Sequence, residues 1–181
     1  MKKIVWKNKS NGQLCVTIPK GSGIKNGDIV NIQQEKVRIV VYTPIIGDLF
    51  HYGHLQILEK ANELGDFHIC GVITDEAVKS YKGEPIANFN ERKAIISNLR
   101  CVDMVMPQDI LEPIENLKKI KQQFPNAKLI AVYGSNWKKA PGQDQIKRLG
   151  VEIINYDFYE RLSNEKILEK ILKNKKKEEK T

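Results

Sequence analysis

The sequence has few cysteines, few histidines and no long apolar run, and each scarcity narrows what the chain can do. Its 181 residues hold three cysteines, Cys15, Cys70 and Cys101. An odd number so widely spaced is neither a disulfide framework nor a paired-cysteine metal site. Cys15 and Cys70 stand inside apolar strand-like runs, so the three read as reduced, mostly buried thiols. No apolar stretch reaches the roughly 18 residues that a spanning helix needs. The opening Met1-Lys2-Lys3-Ile4-Val5-Trp6-Lys7 lacks an apolar signal core. A cytoplasmic chain with no membrane partner is expected. Only three histidines are present, and two of them, His51 and His54, fall three residues apart.

What is present is a charged globular composition, long enough for one full domain and a small accessory unit. The net charge of +8 is uneven: residues 1–36 carry +5, residues 166–181 carry +4, and the stretch between them −1. Any affinity for a polyanion therefore belongs to the ends, and the centre must be read from its motifs.

Residues 1–36 read as a small β module: strand-like runs at 3–7 and 13–18 separated by the hairpin signal Asn11-Gly12, then a third run, Asp28-Ile29-Val30-Asn31-Ile32, after the turn Lys25-Asn26-Gly27. From Val37 the pattern becomes α/β. Strands are expected at 37–42, 67–74, 102–106 (ended by Pro107), 128–133 and 151–156. Helices are expected at 55–64, from 90 to about 99, at 111–124 and at 163–172. Five strands alternating with helices predict an open, Rossmann-like parallel five-stranded sheet, with ligands at the carboxyl ends of its strands. The lysine-rich stretch 173–181 reads as a basic, disordered tail.

The most informative stretch, Gly47-Asp48-Leu49-Phe50-His51-Tyr52-Gly53-His54, links the first buried strand to the first helix. Unpaired N–H groups and the positive end of the helix dipole lie there, Gly53 permits close backbone approach, and two imidazoles can face one pocket. That suits transfer between phosphates, which needs positioning and charge stabilisation more than covalent chemistry. A structural cap and a metal site are the alternatives. No acidic or cysteine cluster completes a metal set, and helical zinc motifs space their histidines by four. Asp48 and Asp103 read either as contacts to Mg2+ or a ribose, or as caps. His68, inside the apolar second strand, reads as structural.

His51-Tyr52-Gly53-His54 with Asp48 upstream resembles the H-x-G-H signature of the cytidylyltransferase branch of the nucleotidyltransferase superfamily. The likeness continues through Lys82-Gly83-Glu84-Pro85, Asn90-Glu91-Arg92-Lys93, Arg100-Cys101-Val102-Asp103, Gly134-Ser135-Asn136-Trp137 and Leu162-Ser163-Asn164-Glu165, covering nearly all of 37–172. The resemblance implies that His51 and His54 stabilise charge on the phosphates of a nucleoside triphosphate. It further implies that the backbone at Ile46 and Gly47 approaches those phosphates, that Lys82 holds the attacking phosphate or the leaving group, and that Arg100 binds the triphosphate end. Gly134, Asn136 and Trp137 would line the nucleoside pocket and Ser163 would open the last helix toward the phosphates. Mg2+ would be held mainly through substrate phosphates, with Asp48 as the protein side chain in reach.

The chain departs from that pattern at Ile45-Ile46-Gly47, where the family has G-T-F, and at Phe158, where it has an arginine that Arg161 is placed to replace. Ser135 and Asn136 stand where acidic residues commonly read cytosine. Residues 12–30 are similar to an AbrB-type swapped-hairpin module, which implies a homodimer and, through basic loops, DNA as a partner. The expected function is transfer of CMP from CTP to a phosphorylated alcohol or a phosphonate, with release of diphosphate. An adenylyltransferase, and a DNA-binding or nucleotide-sensing regulator, are the alternatives.

Overall fold

The computed structural model describes residues 5–8, 10–11, 13–16, 21–25, 28, 38–134, 139–157 and 159–178, and the chain divides into two compact units, residues 1–36 and 37–181. In the first unit β1 (Val5–Lys7) and β2 (Leu14–Val16) pair antiparallel, with Trp6 opposite Cys15. The Asn8 N–H donates to the Gln13 carbonyl at 2.8 Å, and the Gln13 N–H to Asn11 Oδ1 at 3.0 Å, which closes the hairpin. Residues 29–32, the body of the expected third run, lie outside the described residues.

The second unit runs β3 (Ile39–Ile45), α1 (Tyr52–Asn62), β4 (Phe67–Ile73), α2 (Asp75–Lys82), α3 (Phe89–Ser97), β5 (Met104–Gln108), α4 (Ile114–Gln123), β6 (Lys128–Gly134), α5 (Gln143–Arg148), β7 (Glu152–Tyr156) and α6 (Asn164–Glu178). The five strands form one parallel sheet in the order β5-β4-β3-β6-β7. The chain leaves β3 toward β4 and returns on its other flank as β6. The carboxyl ends of β3 and β6 are therefore the switch point, where such sheets open a crevice.

Every residue of β4 is buried, because helices cover both faces. On one face Val41, Ala61, Ile130 and Val132 pack together, beside Ile45, Leu58, Cys70, Val72 and Ile96. On the other, the Tyr42 hydroxyl donates to Gln108 Oε1 at 2.6 Å and accepts from Asn116 Nδ2 at 2.9 Å, tying α4 to the sheet. Gly71 makes room for that phenol: a Cβ there would stand 1.8 Å from the Tyr42 oxygen.

Four local expectations are corrected. Pro107 lies within β5 instead of ending it, because β5 is an edge strand and one missing N–H there costs no ladder bond. The short helices α2 and α5 were not anticipated, since eight and six residues hold too little periodicity to register. α1 begins at Tyr52, a turn earlier than its apolar spacing indicated, because His51 caps it. α6 runs to Glu178, through most of the stretch expected to be a disordered tail. Among the described residues the three cysteines are free: Cys70 is buried, and Cys15 and Cys101 are half-buried. Burial raises the Cys70 thiol pKa well above its ordinary value, so it stays protonated.

Candidate active site

The β3–α1 connection is held from three sides. Gly47 has φ +72°, a conformation that favours glycine, and a Cβ on it would come within 2.8 Å of Ile96 Cδ1, so that methyl would have to shift. The Asp48 carboxylate accepts the Leu49 N–H at 3.1 Å, the Ala87 N–H at 2.9 Å and the Ile86 N–H at 3.0 Å, which staples this loop to the one after α2. Arg92 on α3 is fully buried. Its guanidinium donates to the Ala87 carbonyl at 2.9 Å, the Ile46 carbonyl at 2.6 Å, the Ile73 carbonyl at 2.8 Å and Asp75 Oδ1 at 2.6 Å. One side chain thus ties together the carboxyl ends of β3 and β4 and the loop that follows α2.

The two histidines lock each other at the start of α1. His51 is the N-cap, and its Nδ1 accepts the Gly53 N–H at 3.0 Å, while the His51 N–H donates to His54 Nδ1 at 3.3 Å. The rings stack with centroids 4.0 Å apart, and Phe50 stacks against His54 at 5.5 Å. A Cβ on Gly53 would sit 2.9 Å from His51 Cε1, so glycine there fixes where the imidazole lies. Burial lowers both pKa values, that of His54 to about 4 with help from the charges of His51 and Lys82 and against that of Asp48. For His51, the Glu165 charge and Asn164 oppose burial. At neutral pH both rings are uncharged, and with Nδ1 occupied as an acceptor the proton sits on Nε2. The pair is two stacked Nε2–H donors at a helix N-terminus.

Both histidines line a cavity of about 660 Å³ at the carboxyl ends of the strands. Its wall includes the expected Ile46, Asp48, His51, Gly53, His54, Lys82, Gly134 and Ser163. Ser163 caps α6, its hydroxyl accepting the Lys166 N–H at 3.3 Å. Beside it Asn164 Nδ2 donates to the Asp48 carbonyl at 3.1 Å, joining α6 to the β3–α1 loop. Glu165, also in the wall, is held below the usual carboxylate range by a backbone N–H, the Ser163 hydroxyl and the charges of Lys82 and His51.

The family model described as cytidylyltransferase-like matches residues 48–178, which hold Asp48, the histidine pair and the cavity wall apart from Thr43, Pro44, Ile45 and Ile46. The chain belongs to the cytidylyltransferase-like family. Among curated proteins it is similar to the bifunctional protein HldE of Campylobacter jejuni (strain RM1221), 35% identical over 153 residues that make up 82% of this chain and 31% of that one. It is also similar to the bifunctional protein HldE of Syntrophotalea carbinolica, 28% identical over 80% of this chain and 29% of that one. The chain thus spans about 30% of the length of these relatives. Among solved structures, a lipopolysaccharide core biosynthesis protein from Thermoplasma volcanium aligns with TM-score 0.52 and 25% identity, over 67% of this chain and 96% of that one. A nicotinate-nucleotide adenylyltransferase homologue from Vibrio parahaemolyticus, 14% identical with TM-score 0.50 over 71% of this chain and 77% of that one, shares the fold.

Not every residue expected of a cytidylyltransferase-like site gathers at the cavity. Arg100 is exposed in the α3–β5 connection, which leads into the amino end of β5, whereas the cavity opens at the carboxyl ends. Asp103 also lies there: its carboxylate accepts the His68 N–H at 2.9 Å, the capping reading of its two. His68 is buried with its Nε2 2.9 Å from Thr43 Oγ1 and its Nδ1 2.6 Å from the Cys101 carbonyl, as expected of a structural histidine. Arg161 is exposed in a turn and does not line the cavity, and Gly47 is buried behind it. Asn136 and Trp137, with Ser135 and Phe158, lie outside the described residues. Sequence reading missed Arg92 and Asn164 as organisers, although Asn90-Glu91-Arg92 was part of the resemblance. A lone arginine in an amphipathic helix gives no sign that it points inward. Tyr133, a polar aromatic at the carboxyl end of a buried strand, carried a usable signal of position that went unread.

Proposed function

We propose that the chain transfers a nucleotidyl group from a nucleoside triphosphate, CTP first among them, to an oxygen of a small phosphate- or phosphonate-bearing acceptor. The observation that carries this reading is the stacked pair of Nε2–H donors at the amino end of α1. As neutral rings they can supply N–H hydrogen bonds to phosphate oxygens without changing protonation state, where charge builds during phosphoryl-type transfer. The acceptor oxygen attacks the α-phosphorus, a new P–O bond forms, and the bond from the α-phosphorus to the bridging oxygen breaks. Diphosphate leaves with the electron pair. The attacking oxygen is already anionic, so no general base is needed.

In this mechanism His51 and His54 donate to the α- and β-phosphates, the Lys82 ammonium at the end of α2 offsets charge on acceptor or diphosphate, and the α6 amino end with Ser163 faces the triphosphate. Asp48, already accepting three backbone N–H groups, is better suited to shaping the loop than to holding a cation. Among the described residues no group of three acidic, histidine or cysteine side chains gathers as a metal cage. Mg2+ would come with the nucleotide, and the chemistry it would supply is neutralisation of phosphate charge.

The deciding experiment is diphosphate release with CTP, ATP, GTP and UTP, each with Mg2+ and a panel of phosphoalcohols and phosphonates, alongside His54→Ala. Release with CTP that the substitution abolishes supports the reading. Release with ATP alone moves the donor to the adenylyl class, and no release with any nucleotide refutes transfer.

For residues 1–36 we infer pairing with a second copy. Among the described residues the two three-residue strands pair only with each other, and such a hairpin is marginal alone. Sedimentation of the full chain as a dimer supports this, and as a monomer refutes it. Retention of duplex DNA that falls steeply with salt would add DNA as a partner for the same lysine-rich segment.

A further inference from the structure

Two buried side-chain polar atoms among the described residues have no hydrogen-bond partner, the Tyr133 hydroxyl and Asn164 Oδ1, and both residues line the cavity. Native proteins leave few buried polar groups unpaired, so two in one cavity wall mark where ligand atoms belong. Asn164 lies beside His51 and the Asp48 carbonyl, on the flank given above to the triphosphate.

Tyr133 belongs to the opposite flank. Along β6, Ile130 and Val132 pack with α1, and Tyr156 packs with that same layer. Tyr133 alternates with Val132 and so lies on the other face, the one that Tyr42 and α4 share. It is 2% exposed. Burial, and secondarily the Glu112 charge, raise its pKa, so the phenol keeps its proton. The wall of the same cavity includes Ile73, Val78, Leu111 and Pro141; Ile73 and Val78 form one cluster with Ala77 against which Ile46 and Leu111 pack, and Ile73 stands on the sheet face that Tyr133 and Tyr42 share. This lobe therefore offers apolar surface and one unpaired hydroxyl, and the Lys82 end of α2 lies in the wall of the same cavity.

We propose that the lobe holds the body of the acceptor, and that the acceptor is a phosphate or phosphonate monoester with a largely apolar carbon skeleton bearing one hydrogen-bonding group, which the Tyr133 hydroxyl binds. The proposal rests on the transferase reading above. A polyhydroxylated sugar phosphate is disfavoured, because against the described apolar residues Ile73, Val78 and Leu111 its other hydroxyls would lose water and gain no partner from those side chains. Tyr133 is thus a specificity-determining residue and has no part in the bond-making step.

The test compares native protein with Tyr133→Phe, which removes one oxygen and keeps the packing. The probes are ω-hydroxyalkyl phosphates of two to six carbons, the alkyl phosphates of equal length and a hexose 1-phosphate, with Mg2+ and whichever nucleotide supports release. The expected result has three parts. The best ω-hydroxyalkyl phosphate exceeds both its alkyl counterpart and the sugar phosphate in kcat/KM. Tyr133→Phe raises KM for that acceptor about tenfold and removes its advantage over the alkyl compound, with KM for the nucleotide unchanged. The midpoint of thermal unfolding is equal or higher in the variant, since it loses an unpaired buried group. A sugar phosphate preferred over all the hydroxyalkyl phosphates overturns the acceptor class and leaves the transferase reading standing. A change in nucleotide KM in place of acceptor KM overturns it by giving the lobe to the nucleoside. A lower unfolding midpoint with unchanged acceptor KM overturns it by making the hydroxyl structural. No release with any acceptor overturns both this proposal and the transferase reading.

Discussion

Replacing Arg92 with lysine is the sharpest probe of how the phosphate loop is built. The native guanidinium is fully buried and makes four hydrogen bonds, to the Ala87, Ile46 and Ile73 carbonyls and to Asp75. A lysine places its donors on one nitrogen and cannot span those acceptors, so at least two of them lose their partner. At about 1–2 kcal/mol for each buried group left unpaired, the cost is roughly 2–4 kcal/mol. For a chain of this size that corresponds to a fall in the unfolding midpoint of about 5–15 °C. Urea denaturation followed by far-ultraviolet circular dichroism measures the free energy, and titration calorimetry with Mg–CTP, below the transition of the variant, measures nucleotide binding. Because Ile46 is one of the acceptors, the β3–α1 loop loses an anchor and nucleotide affinity falls while the variant is still folded. Asp75→Asn is the comparison: it keeps all three carbonyl bonds but removes the carboxylate beside the fully buried guanidinium and alters the acceptor of the Phe89 N–H, so its loss measures the charge pairing apart from the tie to the carbonyls. If Arg92→Lys unfolds within about 0.5 kcal/mol of the native protein, the assignment of Arg92 as the tie between β3, β4 and the 87 loop is wrong.

Gly53→Ala is expected to cut diphosphate release at least tenfold with little change in stability, because the added Cβ, 2.9 Å from His51 Cε1, moves the ring and not the helix. A variant with native turnover would show that the position of His51 is unimportant. Acid should destabilise the chain before its carboxylates titrate. The folded His54 pKa of about 4 lies below its ordinary 6.5, so the unfolded chain binds the extra proton. Stability contributed by the neutral ring is whole above pH 6.5 and falls toward pH 4, by at most about 3 kcal/mol, with His51 and His68 shifted the same way. Unfolding free energies of native protein and His54→Asn, measured from pH 7.5 to 4, should converge as pH falls; parallel curves refute the assignment. Gly71→Ala should cost about 2–4 kcal/mol in chemical denaturation, since its Cβ would displace the Tyr42 phenol and break its bonds to Gln108 and Asn116. A loss below about 0.5 kcal/mol would mean that the network yields freely.

Much of this architecture is written in local pattern. Dense β-branched runs at Val37–Tyr42 and Phe67–Thr74, each followed by helical spacing, were enough for a parallel sheet with a site at its carboxyl ends, because strand period and helix period are properties of neighbours in sequence. His51, Gly53 and His54 were legible for the same reason: cap, close-approach glycine and second imidazole act on one another within a single turn. The rest depended on which segments fold against which. Arg92 reads as an exposed helical arginine until the Ile46, Ile73 and Ala87 carbonyls converge on it. Arg100 and Asp103, plausible phosphate and metal contacts by motif, were carried to the amino side of the sheet by the direction of α3. Pro107 was acceptable only because β5 became an edge. Tyr133 shows the division most clearly. The sequence alone determined that it ends a buried strand. Only the tertiary structure put its hydroxyl, buried without a partner, into the wall of the cavity that Ile73, Val78 and Leu111 also line, because the chemistry of a buried polar atom depends on neighbours from distant parts of the chain.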